Sequence, residues 1–76
     1  MDKIQLGERA KALLEDPLIS GFFDEYEKQL FQRWSEESDK AVRDEIYGLK
    51  VAADAFKIHL NSYVVSGQIF KEVAHD

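Results

Sequence analysis

Cysteine is absent from this chain of 76 residues, which excludes disulfide bonds and metal sites built from thiolates. A chain this short buries only about 60–65% of the surface that its unfolded form exposes, so a core of its own would be marginal. Small folds of this size are usually stabilised by a disulfide, a metal or a partner subunit. The lack of cysteine removes the first of these and is compatible with a reducing cytosol.

Basic residues and long apolar runs are also scarce. The net charge is −5, from 10 Lys and Arg against 15 Asp and Glu, and residues 1–38 hold nine of the acids. This balance argues against a general nucleic-acid binder, because phosphate contacts need concentrated Lys and Arg. The N-terminal stretch has no apolar run long enough for a signal peptide or a membrane span. We therefore expect a soluble, cytoplasmic protein that does not enter membranes.

One proline and four glycines offer little turn material, and no segment alternates with period 2 for long enough to form strands. The sequence therefore predicts an all-α fold in a single helical domain. The predicted helices lie near residues 3–14, 17–35 and 39–66, followed by a tail over 67–76.

Helix boundaries follow from residues with known preferences for helix ends. Asp16 should cap the second helix, with Pro17 at its first position. Ser38 or Asp39 should cap the third helix, and Gly67 should end it as a residue able to take positive φ. The first helix should be the weakest, because the glycine at position 7 costs about 1 kcal/mol relative to alanine.

A heptad pattern runs along the third predicted helix, and a shorter run on the second helix matches it. This pairing and the short link between the helices predict an antiparallel helical hairpin. Leu49 and Phe56 should then be buried between the helices, where truncation of either to alanine would cost about 2–5 kcal/mol. The third-helix seam is Val42, Ile46, Leu49, Ala53, Phe56, Leu60 and Tyr63, with Gly67 and Phe70 in the same spacing.

Arg43, Lys50 and Lys57 each follow a seam residue by one position and form a basic line beside the seam. They could pair with acids such as Asp24 and Glu27, or with an acidic helix of a neighbouring subunit. They could instead form a stripe that contacts phosphate. The first interpretation is favoured, because the surrounding charge is negative.

Self-association is predicted from the apolar width of the second helix, which exceeds what one facing helix can cover. We expect a dimer or higher oligomer with Phe22, Phe31 or Trp34 at the contact. A compact monomer and a protein that binds a different partner are the alternatives.

Catalytic and metal motifs are weak. Glu72 and His75 form a Glu-x-x-His pair, but di-iron bundle proteins use two such pairs and further glutamates. His59 lies beside the seam, where a solvent-facing or satisfied side chain is the usual finding. Neighbouring acids on a helix point about 100° apart and make poor acid–base dyads. We expect no enzyme and no cofactor.

The order "GERAKALLEDPLISGFFDEYEKQLFQRW", a short acidic link and "AVRDEIYGLKVAADAFKIHLNSYVVSG" resembles a group of small helical proteins of tailed bacteriophages. Their genes lie near portal, terminase and head-assembly genes. The resemblance implies a role in virion assembly or DNA packaging, in the host bacterial cytoplasm or in the virion, with the chain itself or another phage protein as partner. The resemblance does not assign an activity to any residue of this chain.

Three functional hypotheses follow. The first is a non-enzymatic helical assembly protein that acts by helix–helix contacts. The second is a small acidic inhibitor that binds a nucleic-acid enzyme through its carboxylates. The third is a DNA-packaging adaptor that touches DNA through Arg43, Lys50 and Lys57.

Overall fold

Three α-helices make up the architecture: α1 (Lys3–Glu15), α2 (Pro17–Glu36) and α3 (Lys40–Ala74). The computed structural model describes residues 1–74, and side chains as far as residue 73. Within this range there is no β-strand, so the prediction of an all-α fold is confirmed.

The predicted caps between the helices are confirmed. The Asp16 carboxylate accepts a hydrogen bond from the backbone N–H of Leu18 at 2.8 Å, and Pro17 occupies the first position of α2. The Asp39 carboxylate accepts from the backbone N–H of Ala41 at 2.9 Å. Each cap satisfies a donor that the first turn of a helix leaves unpaired. Aspartates therefore fix where α2 and α3 begin.

The predicted end of the third helix at residue 66 is wrong, because α3 continues to Ala74. Gly67 does not adopt positive φ and lies within the helix. Most of the predicted tail over 67–76 is therefore helical, while His75 and Asp76 lie outside the described residues. The physical reason is that Gly67 serves as a contact surface for α1.

Gly7 of α1 and Gly67 of α3 face each other at backbone distance. A Cβ added to Gly7 would lie 2.8 Å from the carbonyl oxygen of Tyr63 and 3.1 Å from the Cα of Gly67. A Cβ added to Gly67 would lie 2.9 Å from the carbonyl oxygen of Lys3. Because neither glycine has a side chain, the backbones of α1 and α3 approach more closely here than they could if either residue carried a Cβ.

The glycine that was expected to weaken α1 also has a packing role in the structure. Gly7 and Ala10 are buried against α3, so the glycine contributes a close helix contact. A capping box, which the sequence analysis missed, also fixes the start of α1. The Asp2 carboxylate accepts from the Gln5 N–H at 2.8 Å, and the Gln5 side chain accepts from the Asp2 N–H.

The molecule is elongated, with extents of 57 × 23 × 17 Å and a radius of gyration of 16.7 Å. A compact chain of this length would have a radius of gyration of about 11 Å. The shape follows from α3, whose 35 residues span about 52 Å. The C-terminal half of α3 packs against α1, and its N-terminal half packs against α2.

The internal core is correspondingly small. Among the described side chains, the buried hydrophobic residues are Ala10, Leu30 and Ile46. Many larger apolar side chains on all three helices remain exposed. Two layers of helix are too few to enclose this much apolar surface.

The glycine contact gives the first prediction. We expect Gly67→Ala to lower the free energy of unfolding by about 1–3 kcal/mol, because the new methyl group would press against the backbone of α1. Gly48→Ala is the matched control on the same helix, since nothing lies within 4 Å of a Cβ at that position. It should raise the free energy of unfolding by up to about 1 kcal/mol. Urea unfolding that gives both variants the same stability would contradict the close contact.

Candidate interaction site

The predicted seam of α3 divides into an inner row and an exposed row. Ile46 and Gly67 are buried and Leu60 is half-buried, as the heptad predicted. Leu49 and Phe56, expected to be buried between the helices, are 43% and 52% exposed within the chain. Of the remaining seam residues, Val42 and Ala53 are half-buried, and Tyr63 and Phe70 are exposed. From Ile46 onward, buried or half-buried seam residues therefore alternate with exposed ones.

This departure arises because α2 packs over the side of α3 that carries the basic line. The Nζ of Lys57 lies 2.9 Å from the Oε1 of Glu27 and 5.1 Å from the ring centroid of Phe23. Each step along an α-helix turns by about 100°, so Lys57 and Phe56 project to different sides. We call Arg43, Lys50 and Lys57 the basic flank of α3. We call Leu49, Phe56, Tyr63 and Phe70 its apolar flank.

Every cation of the basic flank has an intramolecular partner. Lys57 pairs with Glu27, as predicted, and the pair is about two-thirds buried. The guanidinium of Arg43 lies 3.9 Å above the ring of Trp34, a cation–π contact. The Nε of Arg43 is buried without a hydrogen-bond partner among the described residues. These contacts hold the flank against α2 and leave it poorly suited to binding phosphate.

Lys50 pairs with Asp54 on the same helix, at 3.0 Å between Nζ and Oδ2. The hydrogen bond from Lys50, and next its positive charge, lower the pKa of Asp54 below its ordinary value of 3.8. The same hydrogen bond and the charge of Asp54 raise the pKa of Lys50 above 10.5. Both side chains are solvent-exposed, so the pair adds modestly to the helix.

The apolar flank is continuous along α3. The ring of Phe56 stacks on that of Phe23 at 6.1 Å between centroids, yet half of Phe56 stays exposed. Further along, His59 meets Tyr63 edge to face at 5.0 Å. At the far end, the Nζ of Lys3 lies 5.9 Å from the ring centroid of Phe70. The flank thus reaches from the α2 contact to the α1 contact.

A second apolar surface lies on the opposite side of α2. The rings of Phe31 and Trp34 stack at 6.3 Å between centroids. They line an open groove of about 240 Å³ together with Tyr47. Phe22 is nine residues from Phe31, which is half a turn out of phase on a helix. The predicted contact residues Phe22, Phe31 and Trp34 therefore do not form one patch.

The candidate metal residues are not brought together in the described part of the chain. His59 packs against Tyr63, and Glu72 is exposed on the last turns of α3. Its predicted partner, His75, lies outside the described residues. Residues 1–74 contain no group of three or more His, Asp or Glu side chains placed to hold a metal ion.

No helix within the described residues is long and apolar enough to cross a membrane. Comparison with protein families, curated proteins and solved structures gives no match to this chain.

The Lys50–Asp54 pair gives a prediction about pH. Because the pKa of Asp54 is lowered in the folded state, its contribution to stability is present above pH 3.8 and is lost as the pH falls through the lowered value. We expect Asp54→Asn to lower the thermal midpoint at neutral pH and to have no effect in strong acid. Lys50→Gln should reproduce this loss. A difference from wild type that persists unchanged into strong acid would contradict the pairing.

Proposed function

We propose that this protein is a non-enzymatic interaction protein that associates with itself through helix–helix contacts. The observation that carries the proposal is its accessible surface of 6024 Å², against roughly 4,800 Å² for a compact monomer of this size. This excess of about 1,200 Å² is larger than the roughly 800 Å² that each partner buries in a standard protein interface. An association of this kind would cover the side chains that the small core leaves exposed.

An antiparallel hairpin of α2 and α3 is part of this proposal. Its support is the order of the contacts between the two helices. Trp34 meets Arg43 near the connection, and Glu27 meets Lys57 further away from it. Residues earlier in α2 thus contact residues later in α3, as antiparallel neighbours do.

We place the proposed association in virion assembly or DNA packaging of a tailed bacteriophage, on the strength of the sequence resemblance. An elongated helical protein with exposed apolar faces suits a role in which it joins copies of itself or another phage protein. The adaptor hypothesis is less well supported, because the cations it requires are held by Glu27, Trp34 and Asp54.

Sedimentation of the purified protein tests the self-association. We expect a dimer or a higher oligomer at micromolar concentration, because burial of the exposed apolar surface is favourable. Helical content measured on the same samples confirms that the sedimenting species is folded. A well-folded monomer at high micromolar concentration would overturn the proposal and leave a different partner for the exposed surfaces.

The biological setting has its own test. Affinity capture of the tagged protein from infected cells, followed by mass spectrometry, should recover capsid or packaging proteins. Recovery of a polymerase or nuclease would instead support the acidic-inhibitor hypothesis, and retention on DNA would support the adaptor hypothesis.

A further inference from the structure

We infer that the apolar flank of α3 is the face on which a second copy of this chain docks. The inference rests on the proposed self-association and identifies the surface that performs it. Three observations carry it: the reversed burial on α3, the alignment of apolar residues from the other helices, and the absence of charge along the face.

In the middle of α3, a charged side chain is more buried than the apolar side chain next to it. The side chain of Lys57 is 34% exposed beneath α2, while its apolar neighbour Phe56 is 52% exposed. A chain that functions alone would gain stability by turning α3 so that the phenylalanine faces α2 and the lysine faces water. One heptad earlier, Leu49 is also 43% exposed, although the neighbouring Lys50 is exposed as well. Placing α2 over the charged side leaves the apolar side open for another helix.

Residues of α1 and α2 extend the apolar flank sideways. On each helix, the residue just before an inward-facing position projects toward the flank when the helices run antiparallel to α3. Phe22 precedes Phe23, which touches Phe56, and Leu6 precedes the buried Gly7. Both Phe22 and Leu6 are exposed. The docking face therefore spans two helices at each level of the molecule.

The α3 part of the docking face has no charged residue between Leu49 and Phe70. Residues 58–70 contain no Asp, Glu, Lys or Arg, in a chain of which 33% is charged. Between the large side chains of the flank lie Ala52, His59 and Ser66, in the alternation of three and four residues that knobs-into-holes packing uses. Apart from Lys3, whose Nζ lies 5.9 Å from the ring centroid of Phe70, association here would bring no charged group of the flank into the interface.

A second copy is the occupant that these properties favour. A neutral apolar face is complementary to itself, whereas a face with net charge would repel its own copy. The net charge of −5 disfavours approach to an anionic lipid surface, the other apolar environment such a face could meet. Two copies joined by this face would have four helices in every cross-section, which is the geometry of a four-helix bundle. The twofold interface would also bury the extra accessible surface of each chain.

Paired substitutions on α3 test the face. Phe56→Glu places a charge on the apolar flank, and we expect it to weaken association by about thirty-fold or more, as loss of a central contact does. Ile58→Glu is the matched control, because Ile58 is 71% exposed and points to the other side of the same helix. It should leave association unchanged. Sedimentation and helical content are measured for both variants, so that loss of folding is recognised.

The fluorescence of the single tryptophan gives a second measurement that needs no variant. Trp34 packs against Arg43 on the basic flank, away from the docking face. Its emission maximum should therefore stay constant as the wild-type oligomer is diluted through dissociation, over the concentrations at which helical content is retained. A red shift on dissociation, with association lost in Phe31→Asp and retained in Phe56→Glu, would overturn the docking face but leave self-association standing. A folded wild-type monomer at all concentrations would overturn both.

Discussion

The backbone contact between Gly7 and Gly67 sets the arrangement of the whole molecule. It fixes α1 against one side of α3 near its C-terminal end. Only Asp16 separates α1 from α2, so the position of α1 largely determines where α2 can begin. From that starting point α2 runs along the side of α3 that carries Lys57. The absence of a Cβ at both glycines therefore allows the close contact from which the path of α2 along α3 starts.

The basic flank shows how a lysine can occupy a helix contact without leaving its partly buried charge unpaired. The ammonium group of Lys57 lies near the ring of Phe23 and pairs with the carboxylate of Glu27. Arg43 adopts a comparable arrangement across Trp34. In each case the cationic group of the side chain lies against an aromatic ring. Such contacts join α2 to α3 at a modest energetic gain and keep the large apolar groups available elsewhere.

The sequence predicted the three helices and the N-terminal caps of α2 and α3, because Asp16 and Asp39 act through their own neighbouring backbone. The inner row at Ile46 and Leu60 was also predictable, since it belongs to a seven-residue spacing. The side of that row on which α2 lies was not. Leu49 and Phe56 satisfy the heptad better than Lys50 and Lys57, and the contacts that place α2 on the basic side join residues far apart in the sequence. Gly67 was equally ambiguous, because glycine both ends helices and permits close helix contacts. Its role depends on Gly7, which lies 60 residues away in the sequence.

The small core also links folding to the amount of protein present. Ala10, Leu30 and Ile46 are the buried hydrophobic residues of the described chain, and together they provide little stabilisation for three helices. If most apolar burial takes place between chains, the folded state gains stability from its own concentration. The protein would then accumulate in folded form as its synthesis rises, and scarce copies would be exposed to proteolysis. The concentration of the protein would then determine what fraction of the chains is folded and able to associate.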